Sequence, residues 1–192
     1  MSHSSLIIHN SSLFPELRTP RLLLRQAVDA DAAALFSLRS DERVMRYFDA
    51  QMMQSEEEAR AFLAKNQVSF DEGGGILWAI SLLEDPAMIG TITIWRIDKT
   101  HYRGEMGYLL HPDFQGKGLM SEAMQAVLRY GYDTLNLHSM EANVNPNNQA
   151  SITLLERNGF VREAYFRENY FFNGKFLDTA VYSRLSTDEL QR

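Results

Sequence analysis

The stretch His111-Pro112-Asp113-Phe114-Gln115-Gly116-Lys117-Gly118-Leu119-Met120-Ser121-Glu122-Ala123 constrains this chain more than any other. An apolar, strand-like run, Met106 to Leu110, leads into it, and an amphipathic, helix-like run begins near Lys117. The chain must turn and start a helix within a few residues, and two glycines stand at the junction. Glycine lets a backbone approach a ligand closely. The first N–H groups of a helix have no partner inside it, and with the helix dipole they favour an anion. The junction is therefore built as an anion site suited to a phosphate-bearing ligand. It is not the loop of a nucleotide hydrolase, because Gly118 is followed by Leu119 rather than by lysine. It is not a dinucleotide loop either, because Ser121 stands where the third glycine of Gly-x-Gly-x-x-Gly belongs.

Composition narrows the classes further. With 192 residues, 45% apolar and 23% charged, the chain fits one globular domain, placed over residues 15–192 behind an irregular polar leader, residues 1–14. No apolar run approaches the roughly 18 residues of a membrane helix. Met1-Ser2-His3-Ser4-Ser5 lacks the basic start of a signal peptide, so a cytoplasmic location is expected. The chain contains no cysteine. Disulfides, thiolate metal sites and a cysteine nucleophile are thereby excluded. The five histidines show no i, i+4 pairing, and no metal is expected. A net charge of −6 argues against a nucleic-acid binder and suits a basic partner such as an amine.

Along the chain, Leu22-Leu23-Leu24 reads as a first strand, and Asp29 is a candidate cap for a helix over 31–39. Ser55-Glu56-Glu57-Glu58 is a capping box opening a helix to about Phe70, with Ala59, Phe62 and Leu63 inside. Gly73-Gly74-Gly75 ends that unit. Strand-like runs follow at Ile76 to Leu82, Met88 to Trp95 and Arg103 to Leu110. A helix over 117–134 carries Leu119, Ala123, Val127 and Leu128 on one stripe. Met140, Ala142 and Val144 alternate in a further strand. A helix over 148–158 stops at Gly159. Asn173-Gly174 joins two aromatic runs, Tyr170 to Phe172 and Phe176 to Tyr182, as a hairpin. The fold class is mixed α/β (α+β) with a largely antiparallel sheet.

In this order the segments resemble a known family. Thr19-Pro20-Arg21-Leu22-Leu23-Leu24-Arg25, Glu105-Met106-Gly107-Tyr108-Leu109-Leu110 and Gln115-Gly116-Lys117-Gly118-Leu119-Met120 resemble the opening strand, fourth strand and pyrophosphate loop of GNAT N-acetyltransferases of the ribosomal-protein (RimJ/RimL) type. Asn148-Gln149-Ala150-Ser151 with Leu154-Leu155-Glu156-Arg157-Asn158-Gly159-Phe160 resembles the late helix, and Asn173 to Asp178 the terminal hairpin. The resemblance covers about residues 18–185. It implies a twisted mixed sheet with helices on both faces, whose fourth and fifth strands splay apart to admit acetyl-CoA. The pantetheine arm would meet Tyr108, Leu109 and Leu110. The pyrophosphate would meet the N–H groups of Gln115, Gly116, Lys117, Gly118, Leu119 and Met120. Asn148 matches an amide that contacts the cofactor, whereas Met120 departs from the family's small residue. A homodimer is implied by the resemblance alone.

The activity implied is direct attack of a primary amine on the thioester of acetyl-CoA, the acceptor being a ribosomal-protein N-terminus or a small amine. Glu105 is the candidate base; its alternative is a solvated strand-end carboxylate paired with Arg103 or Lys99. The N–H near Leu109 or Leu110 would polarise the carbonyl. The tyrosine that many relatives place before the helix-ending glycine is Leu155 here, so Ser151 is the candidate acid for the thiolate; its alternative is a helix serine serving backbone. Tyr170 and Glu168 are candidates for the acceptor pocket, the alternative being a core aromatic; Met45, Met52 and Met53 fall in the stretch that borders the acceptor site in the family, the alternative being ordinary packing. Trp78 and Trp95 are expected to pack on the sheet. A non-catalytic acyl-CoA-binding module remains the competing reading.

Overall fold

The structure, a computed structural model, describes residues 13–188. Residues 1–12 of the expected leader lie outside the described residues. Phe14, at its end, already packs on Phe70 and Trp78. Among the described residues the strands are β1 (Leu17–Arg18), β2 (Leu22–Gln26), β3 (Ile76–Leu82), β4 (Asp85–Asp98), β5 (Arg103–Leu110), β6 (Ser139–Val144), β7 (Val161–Phe172) and β8 (Lys175–Leu185). The helices are α1 (Ala32–Ser40), α2 (Glu42–Met45), α3 (Glu56–Asp71), α4 (Leu119–Asp133) and α5 (Gln149–Arg157). One sheet runs in the order β1-β2-β3-β4-β5-β6-β8-β7. Neighbours are antiparallel except β5 and β6, which are parallel.

Side chains alternate across the sheet, and each face carries its own core. Ile76, Trp78, Ile80, Ile92, Ile94, Met106, Met140 and Ala142 pack with Leu119, Ala123, Met124 and Val127 of α4 and Leu155 of α5. On the other face Leu77, Ala79 and Met88 pack with Leu35 and Leu38 of α1 and Ala59 and Leu63 of α3. Odd-numbered residues of β5 therefore share a face with α1 and α3, and even-numbered ones share a face with α4 and α5.

Three local expectations change. Asp29 does not cap α1: residues 29–31 form a 3-10 turn, and the buried Asp31 instead accepts from both terminal nitrogens of Arg25 at 2.8 Å and from the Val28 N–H. Ser55 accepts from the Glu58 N–H as expected, but the Glu58 carboxylate reaches back to the Gln54 N–H rather than to Ser55. The last hairpin is longer than its aromatic runs, because β7 begins at Val161. Its turn is the expected one, with both Asn173 and Gly174 at positive φ.

Candidate active site

The ladder between β5 and β6 holds at only three residue pairs, Arg103–Ser139, Gly104–Met140 and Glu105–Glu141. Beyond Glu105 the strands part: β5 stays with β4 as far as Leu110, and β6 stays with β8 as far as Val144. These are the strands the resemblance numbers fourth and fifth. The His111 N–H donates to the Ile89 carbonyl at 2.8 Å. By the alternation of an antiparallel ladder, Leu109 and Gly107 also direct their backbone groups to β4, while Tyr108 and Leu110 direct theirs into the gap. Of the two amides expected near the thioester carbonyl, the one that faces the gap is therefore that of Leu110. Its carbonyl is taken by the Gln115 side-chain amide at 2.9 Å.

Past Leu110 the chain makes a 3-10 turn over Pro112–Phe114, and the Gln115 N–H closes it on the Pro112 carbonyl at 3.1 Å. Gln115 thus serves the turn with both backbone and side chain, and its N–H is withdrawn from the expected anion-facing set. Gly116 (φ 71) and Gly118 (φ 75) adopt the left-handed conformation. Gly118 caps α4 without a side chain, so α4 begins at Leu119 rather than at Lys117. Among the described residues, the N–H groups of Gly116, Lys117, Gly118, Leu119 and Met120 find no backbone acceptor. Leu119 and Met120 have buried side chains, so only their backbones face the loop. The loop is held by Arg21, which donates to the Lys117 carbonyl at 3.0 Å and to Glu122 at 2.6 Å, while Thr19 bonds the same carboxylate. Ser121 donates to the fully buried Asn158, which ties the start of α4 to the end of α5.

Across the gap, the Tyr108 hydroxyl and Ser151 Oγ are 2.6 Å apart. Burial pushes the Tyr108 phenol up to about 12, against the opposing pull of the Ser151 hydrogen bond. Ser151 is not the cap of α5. Asn148 is, its side-chain oxygen accepting the Ser151 N–H at 3.1 Å. That oxygen is committed to the helix, which leaves the Asn148 NH2 as the group able to meet a ligand. Leu155 is fully buried in the core.

On the opposite face stands Glu105, its side chain 12% exposed. Its partner is neither Arg103 nor Lys99. Arg96 donates to it at 2.9 Å, and Arg103 pairs with Glu141. Trp95 lies directly across the ladder from Glu105. It is 39% exposed rather than packed in the sheet like Trp78, and the Arg96 guanidinium lies 4.1 Å above its ring. Beside them, the Gly107 backbone is closely packed: an added Cβ would meet Thr93 Cγ2 at 3.2 Å and Trp95 Nε1 at 4.0 Å. Carboxylate and hydroxyl pair thus sit on opposite faces of one strand, on either side of the gap.

Other expected residues fall around this centre. Tyr170 bonds Asp49, and Gln51 donates to Asn173 at 2.8 Å, joining the loop between α2 and α3 to the β7–β8 turn. Burial pushes the Asp49 carboxyl up, and the hydrogen bond from Tyr170 opposes it. Met45 and Met53 are buried, and Met52 is exposed. Glu168 contributes its N–H to Asp178. Sequence reasoning missed Arg96, Trp95, Arg21 and Asn158. Thr19-Pro20-Arg21 was legible as a motif, but its contact with the start of α4 was not.

Comparison with known proteins adds family context. Residues 21–161 match the model of the "Acetyltransferase (GNAT) domain". The chain is 37% identical over 171 residues to the uncharacterized N-acetyltransferase YoaA of Bacillus subtilis, covering 89% of this chain and 97% of that one. It is 26% identical over 174 residues to a spermidine N(1)-acetyltransferase of Vibrio cholerae, covering 90% and 97%. A solved structure of RimL, a ribosomal α-N-protein acetyltransferase in complex with coenzyme A, superposes with a TM-score of 0.81 at 25% identity, covering 89% of this chain and 98% of that one.

Proposed function

Since the chain belongs to the GNAT acetyltransferase family and is an N-acetyltransferase, we propose that its acceptor is a primary amine and that Glu105, Ser151 and Tyr108 carry the proton transfers. Acetyl-CoA, the co-substrate, supplies a thioester whose carbonyl carbon an uncharged amine attacks, releasing coenzyme A as the thiol. The residues present fit it: the gap-facing edge of β5 at Tyr108 and Leu110 suits an amide-bearing arm, and the free N–H groups from Gly116 to Met120 suit a pyrophosphate.

The observation that carries this reading is the division of chemistry across the gap. Glu105 lies on the α1 and α3 face, where a proton can leave the amine through a water. The Ser151 and Tyr108 hydroxyls lie on the α4 and α5 face, where a proton can be given to the departing sulfur. The Leu110 N–H, directed into the gap, is the donor for the developing oxyanion. Holding amine and thioester together in the gap beside β5 supplies much of the rate.

The likeness to RimL supports a protein N-terminus as acceptor. A small polyamine is the second reading, favoured by the carboxylates Glu105 and Glu141 paired across β5 and β6. Thiol release from acetyl-CoA, measured over N-terminal peptides and small amines, tests both. Glu105→Gln is expected to lower kcat about 100-fold with coenzyme A affinity intact, the usual scale of general-base loss. Ser151→Ala is expected to cost less, because Tyr108 remains. Coenzyme A binding without turnover on any acceptor would favour the non-catalytic module.

A further inference from the structure

We infer that Arg96 is a resident occupant of the acceptor's ammonium subsite, formed by the Glu105 carboxylate and the Trp95 ring, and that a primary alkylammonium must displace it. The inference rests on the proposed role of Glu105 and says what chemistry that side of the gap accepts.

Between Trp95 and Asp98 the β4–β5 register shifts by one residue, a β-bulge. In a regular strand Arg96 would point away from Trp95, toward α4. The extra residue and a left-handed backbone at Arg96 (φ 48) put both side chains on one face. The guanidinium then makes the two contacts an alkylammonium would seek, an ion pair to Glu105 at 2.9 Å and a position 4.1 Å over the Trp95 ring. The Arg96 side chain is 66% exposed while that of Glu105 is 12% exposed. A largely buried carboxylate whose partner faces solvent is a site that a competing cation can enter. The subsite lies where β5 and β6 part, with Glu105 three residues before Tyr108 and five before Leu110, whose amides face the gap.

The test is equilibrium binding of n-butylammonium, at constant ionic strength and without acetyl-CoA, followed by the fluorescence of Trp95. The chain's other tryptophan, Trp78, is buried. Arg96→Gln is expected to bind n-butylammonium about fivefold more tightly than the wild type, the scale of one part-exposed ion pair. Arg96→Lys, which keeps a cation on the same stem, is expected to return to the wild-type affinity. Adding Glu105→Gln to Arg96→Gln is expected to abolish the gain. Equal or weaker binding by Arg96→Gln overturns the inference, as does a gain that survives Glu105→Gln. Because coenzyme is absent, the outcome stands apart from turnover. The expected binding pattern in a protein that transfers no acetyl group would keep the subsite and remove the proposed reaction.

Discussion

Tyr108 shows how one side chain's surroundings set its chemistry. A phenol pushed up to about 12 is still a neutral donor at the pH where an amine loses its proton. The same shift has a stability consequence. Below pH 10 the phenol is protonated in both folded and unfolded chains. Between pH 10 and about 12 only the folded chain keeps the proton, so rising pH favours unfolding. The urea midpoint of the wild type is therefore expected to fall more steeply across that interval than that of Tyr108→Phe. Gly90 is a harsher position. A Cβ there would lie 2.4 Å from the Leu109 carbonyl oxygen and 2.9 Å from Leu110 Cδ1. Because the nearest atom is backbone, Gly90→Ala is expected to cost about 3 kcal/mol or more in denaturant unfolding. At Gly131 the nearest atom is the end of a flexible side chain, Met140 Cε at 3.0 Å, and the same change is expected to be much milder.

The unit of β5, its turn and α4 was the part most legible in sequence, and the reason is local. Period-two apolar residues, two left-handed glycines and a period-3.6 stripe each declare themselves within a few residues. β7 was largely missed because it is an edge strand: from Val161 to Glu168 nearly every side chain is exposed, so no apolar alternation marks it. Arg96 was missed because its direction depends on a register shift counted against another strand. The pairing of Asp49 with Tyr170 joins residues 121 apart, a distance at which pattern says nothing. The link from Arg21 to Glu122 carries a prediction at this scale. Arg21→Ala frees the start of α4 and removes a cation beside the loop. Calorimetry is expected to show coenzyme A affinity falling by up to about tenfold, the loss of roughly one charge-assisted hydrogen bond. An unchanged affinity would mean that the glycines alone hold the loop. Tyr170→Phe, which cuts the loop before α3 from the hairpin, is expected to raise KM for the acceptor and to leave coenzyme A binding alone.

Taken whole, the sheet has two blocks, β1 to β5 and β6 to β8, meeting at three residue pairs and braced where Ser121 meets Asn158. The alternation of Met140, Ala142 and Val144 was legible, whereas the point at which β5 leaves β6 was not, since it is set by pairing between strands distant in sequence. That early parting has a consequence for the solvent. The Tyr108 and Leu110 amides sit in the middle of a sheet yet have no strand to pair with, so they are expected to trade hydrogen for deuterium as quickly as amides at an open edge, while Leu109 between them exchanges slowly. A ligand lying along β5 supplies the missing rung, and the two fast amides then become slow ones, a change that reports occupancy before any bond is broken.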